Sequence, residues 1–138
     1  MEVMKFQAEI VKNPSAYKFD YNKNKEMVYF TDGAMIRRFE IRQCVLDLSK
    51  FEQTDLIQYF TDEDEWPKAE LKKLRYKDVG FTAIQLEGEG GKCWLNEKYY
   101  KPFRKYQFEY DGGNWVKVIN PDTHELEAVI GKVIIEQH

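Results

Sequence analysis

Metal binding, acid–base catalysis and nucleophilic catalysis need histidines, cysteines or carboxylates at workable spacing, and this chain offers few. His124 and His138 are its two histidines. One stands in turn material after Pro121-Asp122-Thr123 and the other is the last residue, so neither a histidine-based triad nor a histidine-rich metal site is expected. Cys44 and Cys93 have no metal-like spacing and read as a reduced pair of thiols, with a disulfide as the alternative. Carboxylates gather in Asp62-Glu63-Asp64-Glu65, but they lack the alternating ligand positions and the glycine of a calcium loop. We read a solvated loop there, with a metal or basic-partner site as the alternative. Gly88-Glu89-Gly90-Gly91 lacks the G-x-x-x-x-G-K-[ST] pattern of a phosphate cradle and runs into a short strand, so it reads as a hairpin turn. No catalytic residue, cofactor or metal ligand is assigned, and the chain is read as a non-enzyme.

Positive charge is more concentrated. Lys98, Lys101, Arg104 and Lys105 form the most basic stretch, and Lys72, Lys73, Arg75 and Lys77 form a second basic surface. Lys and Arg total 21 against 24 Asp and Glu, a formal charge of −3, so a nucleic-acid or acidic-partner contact would be a local face and not a global property.

The elements that must carry these residues start from Met27 to Ile41. There, two β-rich runs flank Thr31-Asp32-Gly33, in which Asp can bond its own backbone and Gly takes positive φ without a steric penalty. Met35, Arg37, Phe39 and Ile41 share one face of the second run, and Ile36, Arg38 and Glu40 share the other. The alternation of Val3 to Val11, with Phe6, Ala8 and Ile10 on one face, predicts a first strand, and Tyr17, Phe19 and Tyr21 predict a second. With the hairpin, these make a four-stranded antiparallel meander. Asp47 or Ser49 is expected to cap a helical segment carrying Leu48 and Phe51, and Thr54 or Asp55 to restart it through Leu56, Ile57, Tyr59 and Phe60. A short helix is expected over Lys68 to Lys77 with Leu71 and Leu74 inward. Val79 to Glu87 and Lys92 to Leu95 read as strands. Asn96 is expected to cap a helix from Glu97 to about Lys105 that Pro102 shortens or kinks. Tyr106 to Tyr110, Trp115 to Ile119 and Leu126 to Ile135 form a closing meander.

Length and composition set the frame. At 138 residues, residues 1–138 are read as a single domain. No apolar run approaches the ~20 residues of a membrane span, and the N-terminus lacks the apolar core and cleavage site of a signal peptide. A cytoplasmic chain without membrane contact is expected.

With these elements placed, two segments resemble the bacterial DNA sliding clamp, the β subunit of the replicative polymerase, and its phage-borne relatives. Val28-Tyr29-Phe30-Thr31-Asp32-Gly33 is similar to the clamp's strand running into Thr-Asp-Gly. Leu95 to Tyr110 with Val116 to Ile135 resembles the order in which a clamp module closes: helix, strand, strand, terminal apolar strand. The fold class implied is α+β: two antiparallel β-meanders with two or three helices packed on one face, similar to one sliding-clamp module. The function implied is a clamp-like interaction module of a phage or prophage context that binds a replication protein or nucleic acid, with self-assembly into a homo-oligomer. Arg37, Arg38, Lys98, Lys101, Arg104 and Lys105 are its candidate nucleic-acid or partner face. A small host-directed inhibitor binding one protein target, and an enzyme of unassigned chemistry, stay open as alternatives.

Overall fold

The computed structural model, which describes residues 2–78 and 80–135, begins with a helix where alternation predicted a strand. In α1 (Glu2–Lys12), Phe6, Gln7 and Ile10 are buried while Ala8 is exposed. With Val3, the buried side follows i, i+3, i+4, i+7 spacing, which in so short a segment is easily mistaken for a period of two. Val79 and His138, both read above, lie outside the described residues.

The chain divides into two compact units, Met1–Thr61 and Asp62–His138. In the first, β1 (Lys18–Asn22), β2 (Met27–Thr31) and β3 (Met35–Glu40) pair as consecutive antiparallel hairpins. The Thr31-Asp32-Gly33 turn forms as its residue types predict: Asp32 Oδ1 accepts from the Ala34 and Met35 amides at 3.0 and 3.1 Å, and Gly33 takes φ +96°. Both faces of this small sheet are covered. Phe6 and Ile10 of α1 lie in one cluster with Phe19, Val28, Phe30 and Phe39. On the other face, the Phe60 ring packs edge-on against Tyr29 at 5.1 Å.

The cover from 47 to 60 is not the expected helix. It consists of 3-10 turns at Leu48–Lys50 and Ile57–Tyr59, with β4 (Glu52–Gln53) between them pairing parallel to β1. Asp47 does cap, accepting from the Ser49 amide at 3.1 Å. Tertiary pairing prevents a continuous helix: β1 takes residues 52–53, and the buried Asp20 carboxylate takes the Leu56 amide at 3.0 Å.

The second unit is built on β5 (Lys68–Asp78), β6 (Phe81–Gly88), β7 (Gly91–Asn96), β8 (Gln107–Tyr110), β9 (Trp115–Ile119) and β10 (Leu126–Gly131). Their order across the sheet is β10-β9-β8-β5-β6-β7, with every pair antiparallel. Past β10 the chain crosses to the far side of this sheet, where the Val133 amide bonds to the Trp94 carbonyl of β7 at 2.8 Å. The sheet therefore curls until its two ends are bridged. Inside are Leu86, Leu95, Val116, Val118 and Ile130, and Phe103 joins them at 0% exposure.

Lys68 to Lys77, expected as a helix, is the strand β5. Its residues are good helix formers, but pairing with β6 along the element overrides that preference, and Leu74, expected inward, is exposed. Asn96 caps α2 (Glu97–Tyr100), accepting from the Lys98 amide at 3.0 Å. Pro102 then limits the helix, and Lys101–Phe103 continue as a 3-10 turn.

The expected α+β arrangement, two meanders with two or three helices packed on one face, is thus overturned. Each unit is dominated by its sheet, and among the described residues the α-helices are α1 and the single-turn α2. Two of the segments that should have supplied the helical layer are claimed by strand pairing instead.

Candidate binding face

The six basic residues singled out from the sequence divide into two groups. Arg37 and Arg38, on opposite faces of β3, are both buried. The Arg37 guanidinium lies 5.0 Å from the centre of the Phe6 ring and that of Arg38 lies 4.9 Å from the Phe60 ring. Each cation therefore stacks on the element that covers its face, an arrangement that holds the cover in place. Lys98, Lys101, Arg104 and Lys105 are all exposed on α2 and the turn that follows it. Below them, Tyr100 and Phe103 enter the interior, so the aromatic residues fix the segment and leave its cations in water.

The fold brings the second basic run to this segment. Arg75 of β5 forms an ion pair with Glu97, the first residue of α2, at 3.6 Å. A groove of about 370 Å³ runs between β5 and the start of β8, lined by Lys68 to Leu71 on one side and by Arg104 and Tyr106 to Phe108 on the other. Lys73 and Lys77 are exposed further along β5. Two basic stretches about thirty positions apart in the chain are in this way joined into one face of the second unit. Lys68 was not singled out from the sequence, where it reads as the first of many lysines. Its placement depends on the Lys68↔Glu109 pairing of β5 with β8.

A second cation escaped the sequence reading. Lys117, on β9, is 1% exposed. Its Nζ donates to the Asp64 carbonyl at 2.5 Å and sits 4.4 Å from the centre of the Trp66 ring. Burial lowers its pKa below the ordinary lysine value, and the carboxylates of Glu109, Asp64, Asp62 and Asp111 oppose that shift. The acidic run read as a solvated loop thus also anchors a buried ammonium. The only signal in the sequence was a lysine in the apolar run Trp115 to Ile119.

The remaining chemistry-bearing side chains are dispersed. Cys44 and Cys93 are free thiols, and burial pushes Cys93 up to about 11, far from a reactive thiolate. His124 is exposed in its turn at φ +60°. Among the described residues no group of three or more His, Cys, Asp or Glu side chains is placed to hold a metal ion, and no helix is long and apolar enough to cross a membrane. Comparison with family models, curated proteins and solved structures finds no significant match.

Proposed function

We propose that the chain is a cytoplasmic, non-enzymatic interaction module that presents the basic face of its second unit to a polyanionic partner. The observation that carries this reading is the groove in which Lys68 and Glu70 of β5 stand on one side and Arg104 on the other, with Lys98, Lys101 and Lys105 exposed on the same segment as Arg104. A dense set of exposed cations on an otherwise acidic chain concentrates attraction at one place and repels polyanions elsewhere. A second motive is the resemblance in sequence of Val28 to Gly33, and of Leu95 to Tyr110 with Val116 to Ile135, to a sliding-clamp module. On that analogy the partner is a replication protein or nucleic acid.

The test is binding of a labelled double-stranded oligonucleotide and of heparin to the full chain across a salt series. Binding by the wild type, with the double variant Lys101→Glu and Arg104→Glu weaker and less salt-dependent, supports the reading. Each duplex phosphate that the variant no longer neutralises should reduce the log–log salt slope by about 0.9. No polyanion bound by the wild type, or the same affinity and slope in the double variant, would count against it.

A further inference from the structure

The geometry points to a partner of one kind: an extended acidic peptide that adds as a strand to the outer edge of β5. The inference rests on the basic-face reading and narrows it.

β5 spans Lys68–Asp78 and pairs with β6 out to its C-terminal end, but on its other side β8 pairs only with Lys68 and Ala69. Beyond them, from Lys72 to Lys77, no strand among the described residues occupies that edge. The outer edge of β7, the last strand of this sheet, is treated differently, because it is met by Val133 through the Trp94 carbonyl. The β7 edge is met, and the part of the β5 edge that β8 leaves unpaired is open to a strand.

Backbone geometry shows which groups the open edge offers. β5 and β6 are separated by two positions, and Asp78↔Phe81 is the closing pair. In such a hairpin the closing pair exchanges hydrogen bonds, and successive pairs alternate from there. Tyr76 therefore bonds to Ala83, while Arg75 and Lys77 turn their amides and carbonyls away from β6. The open edge thus carries at least two outward donor–acceptor sets in a regular run.

The side chains decide what can use it. Lys72, Lys73, Arg75 and Lys77 crowd this stretch of β5, and Arg104 stands across the groove at its start. A register irregularity between Leu71 and Arg75 interrupts the strand. Lysines and bulges on an edge prevent identical edges from pairing with each other. The same charges favour an incoming strand that carries carboxylates. Arg75 and Lys77 share one face and Tyr76 occupies the other, half-buried 6.3 Å from the Trp94 ring and 6.4 Å from Phe81. The matching peptide alternates acidic residues, facing Arg75 and Lys77, with apolar ones that extend the Tyr76 face.

The experiment measures fluorescence anisotropy of the full chain with a labelled peptide alternating Glu with Val, beside the same side-chain sequence methylated at every backbone amide. Saturable binding of the first, and loss of at least about tenfold in affinity for the second, is expected, since a tenfold change corresponds to little more than one net hydrogen bond. Lys77→Pro, which removes an outward amide not used in pairing with β6, should weaken binding beyond Lys77→Ala, which removes the charge alone. The methylated peptide tests the wild type directly, so the outcome does not depend on how well the proline variant folds. Equal binding of the methylated peptide overturns strand addition and leaves the basic-face reading standing. Tighter binding of an oligonucleotide than of the peptide, or self-association of the chain that Lys77→Pro abolishes, overturns the choice of partner. If neither peptide nor oligonucleotide binds, the inference and the reading beneath it both fail.

Discussion

Asp20 shows how a single side chain can be legible in type and illegible in role. In the sequence it is the polar member of an alternating strand. In the fold its carboxylate is buried and accepts from the Leu56 amide and the Gln53 side chain at 3.0 Å each, and from the Tyr21 amide at 2.9 Å. Burial alone would raise its pKa, but these hydrogen bonds outweigh it and hold the group below its ordinary 3.8. A depressed carboxyl pKa stabilises the fold above the unfolded value, and the stabilisation is lost as pH falls through the folded value. Asp20→Asn should therefore cost about 1–3 kcal/mol at neutral pH in denaturant unfolding, and its deficit against the wild type should shrink below pH 3.8. A deficit that stays constant through acid unfolding would contradict this role. Lys117 belongs to the same class: its partner carbonyl on Asp64 is 53 positions away, and nothing local points to it. Lys117→Ala leaves that carbonyl without its donor and opens a cavity beneath Trp66, so a loss of about 2–4 kcal/mol is expected from a melt or denaturant titration.

Among the elements, turns were the most legible and the helix–strand distinction the least. Thr31-Asp32-Gly33, Asn96 and Pro102 act through their own geometry, so their residue types sufficed. α1 and β5 were exchanged because each is decided by what it packs on. Phe6 and Ile10 need the aromatic face of the β1–β3 sheet, and Lys68 to Asp78 need β6. The α1 assignment makes Phe6→Ala costly, about 3–5 kcal/mol, because the ring is 3% exposed and contacts Phe39 and Arg37. Ala8→Gly, on the exposed side, should cost only about 1 kcal/mol through helix propensity. Comparable losses from the two substitutions would argue against the helix. The β6–β7 hairpin, read correctly, carries a constraint the sequence hid: a Cβ on Gly90 would lie 2.0 Å from the Tyr110 carbonyl oxygen, and one on Gly88 would lie 2.2 Å from that of Lys68. Both obstacles are backbone, which cannot rotate aside. Gly90→Ala should therefore destabilise the chain by more than about 2 kcal/mol in thermal or chemical unfolding, although the turn itself tolerates many residues.

For the molecule as a whole, the sequence supplied the β-rich aromatic composition, the repeated progression into meanders and the two basic runs. It did not supply their union. Lys98 to Lys105 is basic on inspection, and so is Lys72 to Lys77, but only the β8–β5 pairing and the curled sheet place them side by side, while Arg37 and Arg38 turn inward to stack on Phe6 and Phe60. The decisive contacts are long-range, and local pattern does not encode them. Whether this joined basic face is where a partner docks can be read by titrating an acidic probe into isotopically labelled full-length protein and following amide shifts by NMR. Saturable shifts should concentrate on Lys68 to Lys77 and Lys98 to Phe108 and collapse as salt is raised. Shifts centred on β1–β3 or on the Asp62 to Glu65 run, or no saturable shifts at low salt, would contradict the docking role of that face.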